Sequence, residues 1–312
     1  MTQWTAAPKT LLVGLLFVLG MRGCSGGNRG RAQPPDIQSG PLSLAEARLY
    51  VLDLVNEDRE EHGLARVTLD ETASRAAQRH AVDMATHGFT AHWGTDGSVP
   101  EQRYTEVGGV HMIQENAVCF FDGLERAVDP APVFTRAELE RLESAFIDEV
   151  PPQDGHRRNI LKSDHNRLGV GLAKPRGVGQ ACMAQEFVDA YGLYDDLPRR
   201  ARVGQVVSVR GVVNEPSVFG AIGVARMPPA APIQPDVLIT ASEYRIPEPY
   251  SVYFPPGYET PAPVRVAGGR FALELALDDQ RQPGRYEVSV WARHPGNDEL
   301  VMVSLRTVEV VP

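Results

Sequence analysis

Apolar residues recur with the period of an α-helix in the first half of the chain, and capping residues mark where each helix starts. The first predicted helix follows Ser43, because Ser43 and Glu46 form a capping-box pattern, and it ends before Gly63. The second is predicted to begin at Asp70 and to end before Gly88. Each helix carries one apolar face, so each is expected to pack against a sheet or another helix.

A third helix is predicted from Thr135, where Glu138 completes another capping-box pattern. Its apolar stripe extends to Val150, and the following Pro151–Pro152 pair is predicted to end it. Glu149 would then lie in the last turn of this helix.

Short apolar segments at 168–173 and 181–188 are predicted as strands. Helices that come before and between strands indicate a layered α/β or α+β domain, assigned to residues 43–194.

The pattern changes after Val203, where short alternating runs replace the helical period. Phe271, Leu273 and Leu275 alternate with polar or small residues, as a strand with one buried face requires. Six to eight such strands in about 110 residues indicate an antiparallel β-sandwich of the immunoglobulin-like type. It is assigned to residues 203–312. The predicted strands lie at 206–213, 219–225, 236–241, 270–277, 285–292 and 299–310.

The N-terminus has the pattern of an export signal. Lys9 precedes an apolar run from Leu11 to Gly20, which is too short to cross a bilayer but fits the core of a signal peptide. Residues 1–24 are therefore predicted to be a signal peptide, and the Gly-, Pro- and Ser-rich residues 25–42 a flexible linker. We expect the protein to be exported to the cell envelope or outside the cell.

The three cysteines also bear on where in the cell the protein is expected. Cys24 lies where a bacterial lipoprotein carries its lipidated cysteine; Gly23 fits the lipobox pattern, while Arg22 departs from it. If Cys24 is acylated, the other two cysteines remain as one pair in an oxidising compartment, where a disulfide is permitted. Two separately buried thiols at Cys119 and Cys182 are the alternative.

Composition narrows the range of partners. The 312 residues are 43% hydrophobic and 23% charged, which is typical of globular domains, and the length suits two of them. The net charge is −9 and no long basic run is present, so nucleic acid is not expected as a partner. Contact with a membrane is expected only through the possible lipid anchor.

Four residues of the first domain combine metal-binding and acid–base chemistry, namely His92, Glu115, Glu149 and His156. Two imidazoles and two carboxylates could converge on a divalent metal ion, with zinc as one candidate. They could equally form a hydrogen-bonded cluster that supports a cleft. No HExxH helix is present, and spacing alone does not decide between the two.

Four motifs occur in an order that resembles the CAP superfamily, which includes cysteine-rich secretory proteins, antigen 5 and pathogenesis-related 1 proteins. The motifs are RLYVLDLVNEDREEHGL, AAQRHAVDMATHGFTAHWGTDG, ENAV and GHRRNILKSDHNRLGVGLA. The similarity covers about residues 43–192. The resemblance implies an α-β-α sandwich, so the whole chain is expected to be α+β, with an all-β sandwich following the CAP domain.

The resemblance also implies a large open cleft lined by a tetrad of two histidines and two glutamates. Carried over by motif, these are His92, Glu115, Glu149 and His156, with Asp148 as the acidic neighbour of the loosest match. Metal binding is expected through His92 and His156. The chain departs from the family pattern at three positions, which are Gln114, where a glycine is usual, Phe146, where tryptophan is usual, and Met183.

Function is less constrained than fold. The chain has no GxSxG elbow and no recognisable Cys/His motif, so a serine or cysteine protease has no support. The resemblance implies metal binding in some members and lipid or sterol binding in others, without a general enzymatic activity. The expected function is recognition or scaffolding at the cell surface, with a small ligand, lipid among them, or an envelope component as partner. A metal-dependent hydrolase that uses the tetrad is the alternative.

Overall fold

The computed structural model describes residues 40–241 and 244–312. The predicted signal peptide, the lipidation site Cys24 and most of the predicted linker lie outside the described residues. Leu42, at the end of that linker, is buried and exchanges two backbone hydrogen bonds with Phe134. Within the described ranges, no helix is long and apolar enough to cross a membrane.

The elements follow the predicted change from mixed to all-β structure. The helices of the described residues are α1 (Leu44–Glu61), α2 (Glu71–His87), α3 (Pro100–Glu106), α4 (Arg136–Ile147), α5 (Gly155–Ile160) and α6 (Pro235–Leu238). The strands of the first domain are β1 (Thr68–Leu69), β2 (Met112–Val118), β3 (Arg167–Ala173) and β4 (Cys182–Asp189). The later strands are β5 (Gly192–Tyr194), β6 (Arg200–Arg202), β7 (Val206–Val213), β8 (Val218–Met227), β9 (Ser251–Tyr253), β10 (Arg265–Ala267), β11 (Arg270–Ala276), β12 (Gly284–Arg293) and β13 (Leu300–Val311).

The first domain has three layers, with one sheet in the order β1-β3-β4-β2 between two groups of helices. Alternate residues of β3 show why both faces are covered. Leu168 and Val170 share a core with α1 and α4. Gly169 and Gly171 face α2, where a Cβ at Gly171 would lie 2.1 Å from the carbonyl carbon of Ala77. The missing side chains therefore let α2 pack directly on the backbone of the sheet.

The predicted starts of α1 and α2 are confirmed. Ser43 and Glu46 form a reciprocal capping box at the start of α1. The Asp70 carboxylate accepts a hydrogen bond from the N–H of Ala73, at 2.8 Å, and so caps α2. At the other end, Gly88 adopts the left-handed conformation with φ 64°, which glycine tolerates without strain.

The end of α4 differs from the prediction. The helix stops at Ile147, and the Val150 side chain, which was expected to point inward, is 70% exposed. The reason is local, because a residue that precedes proline disfavours the helical conformation and Val150 precedes Pro151. Glu149 consequently lies in the turn after α4 rather than in its last turn. Because Glu149 lies outside the helix, its carboxylate can reach α5.

The second half of the chain forms a two-sheet β-sandwich, which confirms the predicted all-β class. One sheet has the order β10-β11-β7-β5 and the other β6-β13-β12-β8-β9. Tyr194, in a segment that the sequence assigned to the first domain, lies in β5, which pairs with β7. The predicted strand at 236–241 is wrong, because these residues form α6 and the turn that follows it.

The reason is that residues 231–241 and 244–246, between β8 and β9, pack on the first domain and not in the sandwich. We call this segment the excursion. Leu238 of α6 is 1% exposed and shares a core with Met84 and Phe89 of the first domain. An apolar pattern in this segment thus reflects burial against another domain, and not one face of a strand.

Candidate functional site

All four residues of the predicted tetrad line one cleft of about 830 Å³. His92 lies in the loop after α2, and Glu115 lies in the middle of β2. Glu149 lies in the turn after α4, and His156 is the second residue of α5. Four separate elements therefore bring these side chains together. Their role in binding stays a prediction at this point.

The first pair is His92 with Glu115. Nδ1 of His92 lies 2.9 Å from Oε1 of Glu115. The Glu115 carboxyl is buried, whereas the His92 ring is partly open to the cleft. Because a carboxylate only accepts hydrogen bonds, this contact places the proton of a neutral His92 on Nδ1 and leaves the Nε2 lone pair free.

Arg103 holds Glu115 from the buried side. Its guanidinium donates to Oε2 of Glu115 at 2.6 Å and to the carbonyl oxygens of His92 and Ser98 at 3.0 and 3.1 Å. Burial alone would raise the pKa of Glu115, but the Arg103 charge outweighs it and, together with the hydrogen bond to His92, lowers that pKa. Glu115 is therefore ionised at neutral pH and keeps its acceptor role towards His92.

His80 is the buried histidine of α2, and it behaves as a packed side chain. Its Nε2 donates to the carbonyl oxygen of Ala91 at 2.7 Å. Burial first, and then the charge of Arg103, lower the pKa of His80 to about 4. A neutral His80 next to Glu115 leaves Arg103 as the cation that balances this carboxylate.

The second pair is His156 with Glu149. Nδ1 of His156 lies 2.6 Å from Oε1 of Glu149, while Oε2 accepts the backbone N–H groups of His156 and Arg157 at 2.9 and 3.4 Å. One carboxylate therefore orients the ring and also satisfies free N–H groups at the start of α5. Glu149, and not the neighbouring Asp148, makes these contacts.

In both pairs the glutamate holds Nδ1, so Nε2 is the ring nitrogen left for the cleft that both histidines line. The ring centres of His92 and His156 are 6.5 Å apart. Burial lowers the pKa of His156, although hydrogen bonding to Glu149 acts in the opposite direction. The ring is thus neutral near pH 7, with Nδ1–H bound to Glu149 and Nε2 available to a ligand.

Side-chain amides fix the distance between β2 and α5. Asn159 donates to the carbonyl oxygen of Glu115 at 3.3 Å and to the side chain of Asn116 at 2.9 Å. Asn116 in turn donates to the carbonyl oxygen of His156 at 3.1 Å. These bonds tie the two histidine–glutamate pairs into one frame.

Glu143 of α4 extends this frame into the core, where it accepts a hydrogen bond from Gln185. Burial, with a smaller effect from Asp58, raises the pKa of the Glu143 carboxyl to about 8. Between pH 4.5 and pH 8 the folded chain keeps a proton that the unfolded chain loses, so the free energy of unfolding falls as pH rises.

Replacing this acid by its neutral isostere should remove that penalty. We expect Glu143→Gln to raise the free energy of unfolding at pH 7 by about 2 kcal/mol and to leave it unchanged at pH 4. Urea denaturation at both pH values measures the effect, with the exposed Glu57→Gln as control. An equal gain at both pH values would show that packing, and not titration, is responsible.

Several residues in or beneath the cleft were not predicted from the sequence. Glu101 and Arg103 lie on α3, a short helix that was not predicted although Pro100 at its first turn is a helix-start signal. Glu186 lies directly opposite Glu115 across β2 and β4 and is wholly buried. Tyr244 comes from the excursion, some 150 residues away from His92 in the chain.

The predicted cysteine pair is confirmed. Cys119 and Cys182 form a disulfide between the ends of β2 and β4, and both residues are buried. The backbone N–H of Cys119 also donates to the hydroxyl of Thr90, a residue of the cleft wall, at 2.9 Å. The covalent link therefore fixes the edge of the sheet on which the cleft is built.

A three-layer α-β-α domain whose open cleft is lined by two histidine–glutamate pairs is the arrangement that the CAP resemblance implies. The model of the cysteine-rich secretory protein family, CAP, matches residues 52–187. Residues 52–187 therefore form a CAP domain, and a β-sandwich follows it.

Two Bacillus subtilis proteins are among the relatives. YkwD is 22% identical over 150 residues, which cover 48% of this chain and 50% of that protein. The membrane protein YlbC is 31% identical over 126 residues, which cover 39% of this chain and 30% of that protein. The chain thus spans half or less of the length of each.

Two solved structures match about the same share of the chain. An extracellular protein of Bacillus anthracis that contains an SCP domain is 21% identical, with a TM-score of 0.35, and the match covers 48% of this chain and 45% of that one. An outer surface protein of Borrelia burgdorferi is 16% identical, with a TM-score of 0.34, and the match covers 49% of this chain and 98% of that one.

Proposed function

We propose that this protein is an exported CAP-domain protein whose cleft binds a divalent metal ion, and through it a small ligand, between His92 and His156. It would act in recognition or scaffolding at the cell surface. The observation that carries the proposal is the pairing of each histidine with its own glutamate. Both rings present Nε2 to the same cleft, which is how proteins prepare imidazole for a metal ion.

The donor set fits zinc or a similar ion. Neutral imidazole nitrogen is a common zinc ligand, and Glu115 and Glu149 would hold the rings without binding the metal themselves. Two imidazoles that share one zinc ion keep their ring centres roughly 5 to 6 Å apart, because each Zn–N bond is about 2 Å long. The observed 6.5 Å between ring centres is close to that requirement.

The site would use few protein ligands. Among the described residues, no group of three or more His, Cys, Asp or Glu side chains is placed to hold a metal ion together. An ion bound by His92 and His156 would therefore keep open coordination positions. Open positions suit recognition of a small ligand that completes the coordination shell.

The alternative is a metal-dependent hydrolase, in which a metal-bound water attacks the substrate. Such a reaction needs a general base with a free oxygen near the water. Here Glu115 is held by Arg103 and His92, and both oxygens of Glu149 accept hydrogen bonds from α5. Recognition consequently has more support than turnover.

The proposal that the protein is exported rests on the sequence of residues 1–24 and on the disulfide. Structural disulfides form and persist in oxidising compartments and are rare in the cytosol, so the Cys119–Cys182 bond supports export. A lipid anchor at Cys24 would keep the protein at the cell envelope. Mass spectrometry of Cys24 in membrane fractions tests whether this cysteine carries a lipid.

Zinc titration calorimetry on the full chain tests the metal site. We expect one zinc ion per chain in the wild type and a loss of affinity of at least about 100-fold in His92→Ala/His156→Ala. Glu149→Gln should weaken binding by about tenfold, because it removes the charge that orients the His156 ring. His87→Ala, outside the cleft, is the matched control.

Two results would overturn the metal site. One is the absence of zinc binding in the wild type, and the other is equal affinity in the wild type and the double variant. A double variant that is less stable but keeps its zinc affinity would show that the tetrad is a structural cluster.

A further inference from the structure

The excursion of the second domain forms one wall of the cleft. Its first part binds the loop that carries His92, since the N–H of Ile233 donates to the carbonyl oxygen of Thr95 at 2.8 Å. Ala231 lies against Gly97, because a Cβ atom added at position 97 would be only 2.2 Å from the backbone oxygen of Ala231. The excursion is thus docked against the first domain by backbone contacts as well as by the buried Leu238.

The later part of the excursion faces the cleft with Ala241, Tyr244 and Ile246. The phenol of Tyr244 donates to the carboxylate of Glu101, and burial raises the pKa of Tyr244, so the phenol stays protonated. Its ring lies 6.4 Å from that of His92. With its hydroxyl engaged by Glu101, Tyr244 offers a ligand an aromatic ring in place of a free polar group.

Trp93 holds this ring in place. The ring centres of Trp93 and Tyr244 are 5.2 Å apart and nearly perpendicular, at 86°. Edge-to-face contact is a favourable arrangement for aromatic pairs. Tyr244 is therefore held at both ends, by Trp93 at the ring and by Glu101 at the hydroxyl.

The wall that α5 and its flanking residues contribute has different chemistry. The segment around α5 lines the cleft with Gln153, Arg158, Asn159 and Lys162, all of them polar or charged. The His92 ring lies 6.4 Å from the ring of Tyr244 in the excursion and 6.5 Å from the ring of His156 in α5, so it connects the apolar wall to the polar wall. A ligand that contacts both walls therefore needs a polar or anionic end and an apolar end.

We propose that the excursion is a specificity-determining wall, and that the cleft takes a small carboxylate that bears an aryl or branched aliphatic group. The carboxylate lies at His92, His156 and the polar wall, and the apolar group lies against Tyr244 and Ile246. The position of the carboxylate rests on the proposed metal site, while the apolar subsite does not. A volume of about 830 Å³ accommodates a compound of this size.

Titration of the full chain with 4-phenylbutyrate and with acetate, each with and without zinc, tests the proposal. We expect 4-phenylbutyrate to bind the wild type at least about tenfold more tightly than acetate, because only the former buries an apolar group. This advantage should fall below about threefold in Ile246→Ser and in Tyr244→Ala. It should persist in Tyr244→Phe and in Val266→Ser, an exposed position on the sandwich.

The variants separate the subsite from the metal site. Zinc affinity should be unchanged in Ile246→Ser, because Ile246 lies on the wall and not among the tetrad. Zinc-independent preference for 4-phenylbutyrate would leave the subsite standing even if the wild type bound no zinc. Equal affinity of the wild type for both carboxylates, or an undiminished advantage in Ile246→Ser and Tyr244→Ala, would overturn it.

Discussion

Loss of the Cys119–Cys182 disulfide is expected to lower the free energy of unfolding by about 4 kcal/mol. The bond joins residues 63 apart in the chain, so it closes a long loop in the unfolded state and removes much of that state's entropy. It also fixes β2 beside β4 at the edge of the cleft. Urea denaturation of Cys119→Ala/Cys182→Ala, compared with the oxidised wild type, measures the loss.

Reduction provides the control for this experiment. Dithiothreitol should bring the wild type close to the double variant and should leave the double variant unchanged. Both cysteine side chains are buried, so a small part of the stability lost in the double variant comes from lost packing. Reduction of the wild type would not reproduce that part. A wild type that loses less than about 1 kcal/mol on reduction would contradict the entropic argument.

Removal of the Arg103 guanidinium is expected to cost a similar amount, about 4 kcal/mol in Arg103→Met. Both partners of the Arg103–Glu115 ion pair are buried, so the variant would leave an uncompensated carboxylate under the cleft. The His92 and Ser98 carbonyl oxygens would lose their donor as well. Thermal and urea denaturation of the variant at pH 7 measure the effect.

A second substitution separates charge from packing. Glu115→Gln in the Arg103→Met background removes the unpaired charge and should restore at least half of the lost stability. Arg167→Met is the matched control, because its ion pair with Asp70 has a half-exposed guanidinium and should contribute less than about 1 kcal/mol. No recovery in the double variant would show that the charge of Glu115 is not the cause.

The same pair has a defined pH dependence. In the wild type the Arg103 charge lowers the pKa of Glu115, although burial opposes it, so the pair stabilises the fold above the unfolded-state pKa of 4.5. This contribution is lost as pH falls through the lower pKa of the folded state. The gap between the wild type and Arg103→Met should therefore be wide at pH 7 and should narrow in acid.

Local signals in the sequence predict α1, α2 and the start of α4 well. The side chains of Ser43, Asp70 and Thr135 each accept a hydrogen bond from the N–H three positions later and so cap their helices. Gly88 ends α2 by adopting the left-handed conformation. These features depend on neighbouring residues alone, so they are readable without the fold. The strands β7 and β11 were readable from their alternating pattern, because one face of each is buried and the other is largely open.

The tetrad could be predicted only as a set. Motif resemblance named His92, Glu115, Glu149 and His156, but nothing in their spacing indicated which glutamate holds which histidine. Arg103, which balances Glu115, lies on a short helix without an apolar period. Such a pairing is decided where the elements meet, because the partners are far apart in the chain.

The excursion shows most clearly what the apolar pattern of the sequence does not predict. The apolar residues at 236–241 fit a strand of the sandwich, and the structure places Leu238 in the core of the other domain. An apolar pattern reports that a side chain is buried, but it does not report against which surface. The contact that brings Tyr244 to the cleft is therefore invisible before the domains are docked.

The sequence by itself determined the class of each half of the chain, the ends of the capped helices and the residue types available to the cleft. Those properties follow from backbone propensities and from the period of apolar residues. The tertiary structure alone decided that each histidine has its own glutamate, that Arg103 keeps Glu115 ionised, and that the second domain supplies a wall of the cleft. Each of these depends on contacts between residues distant in sequence, whose free energy exists only once the chain has folded.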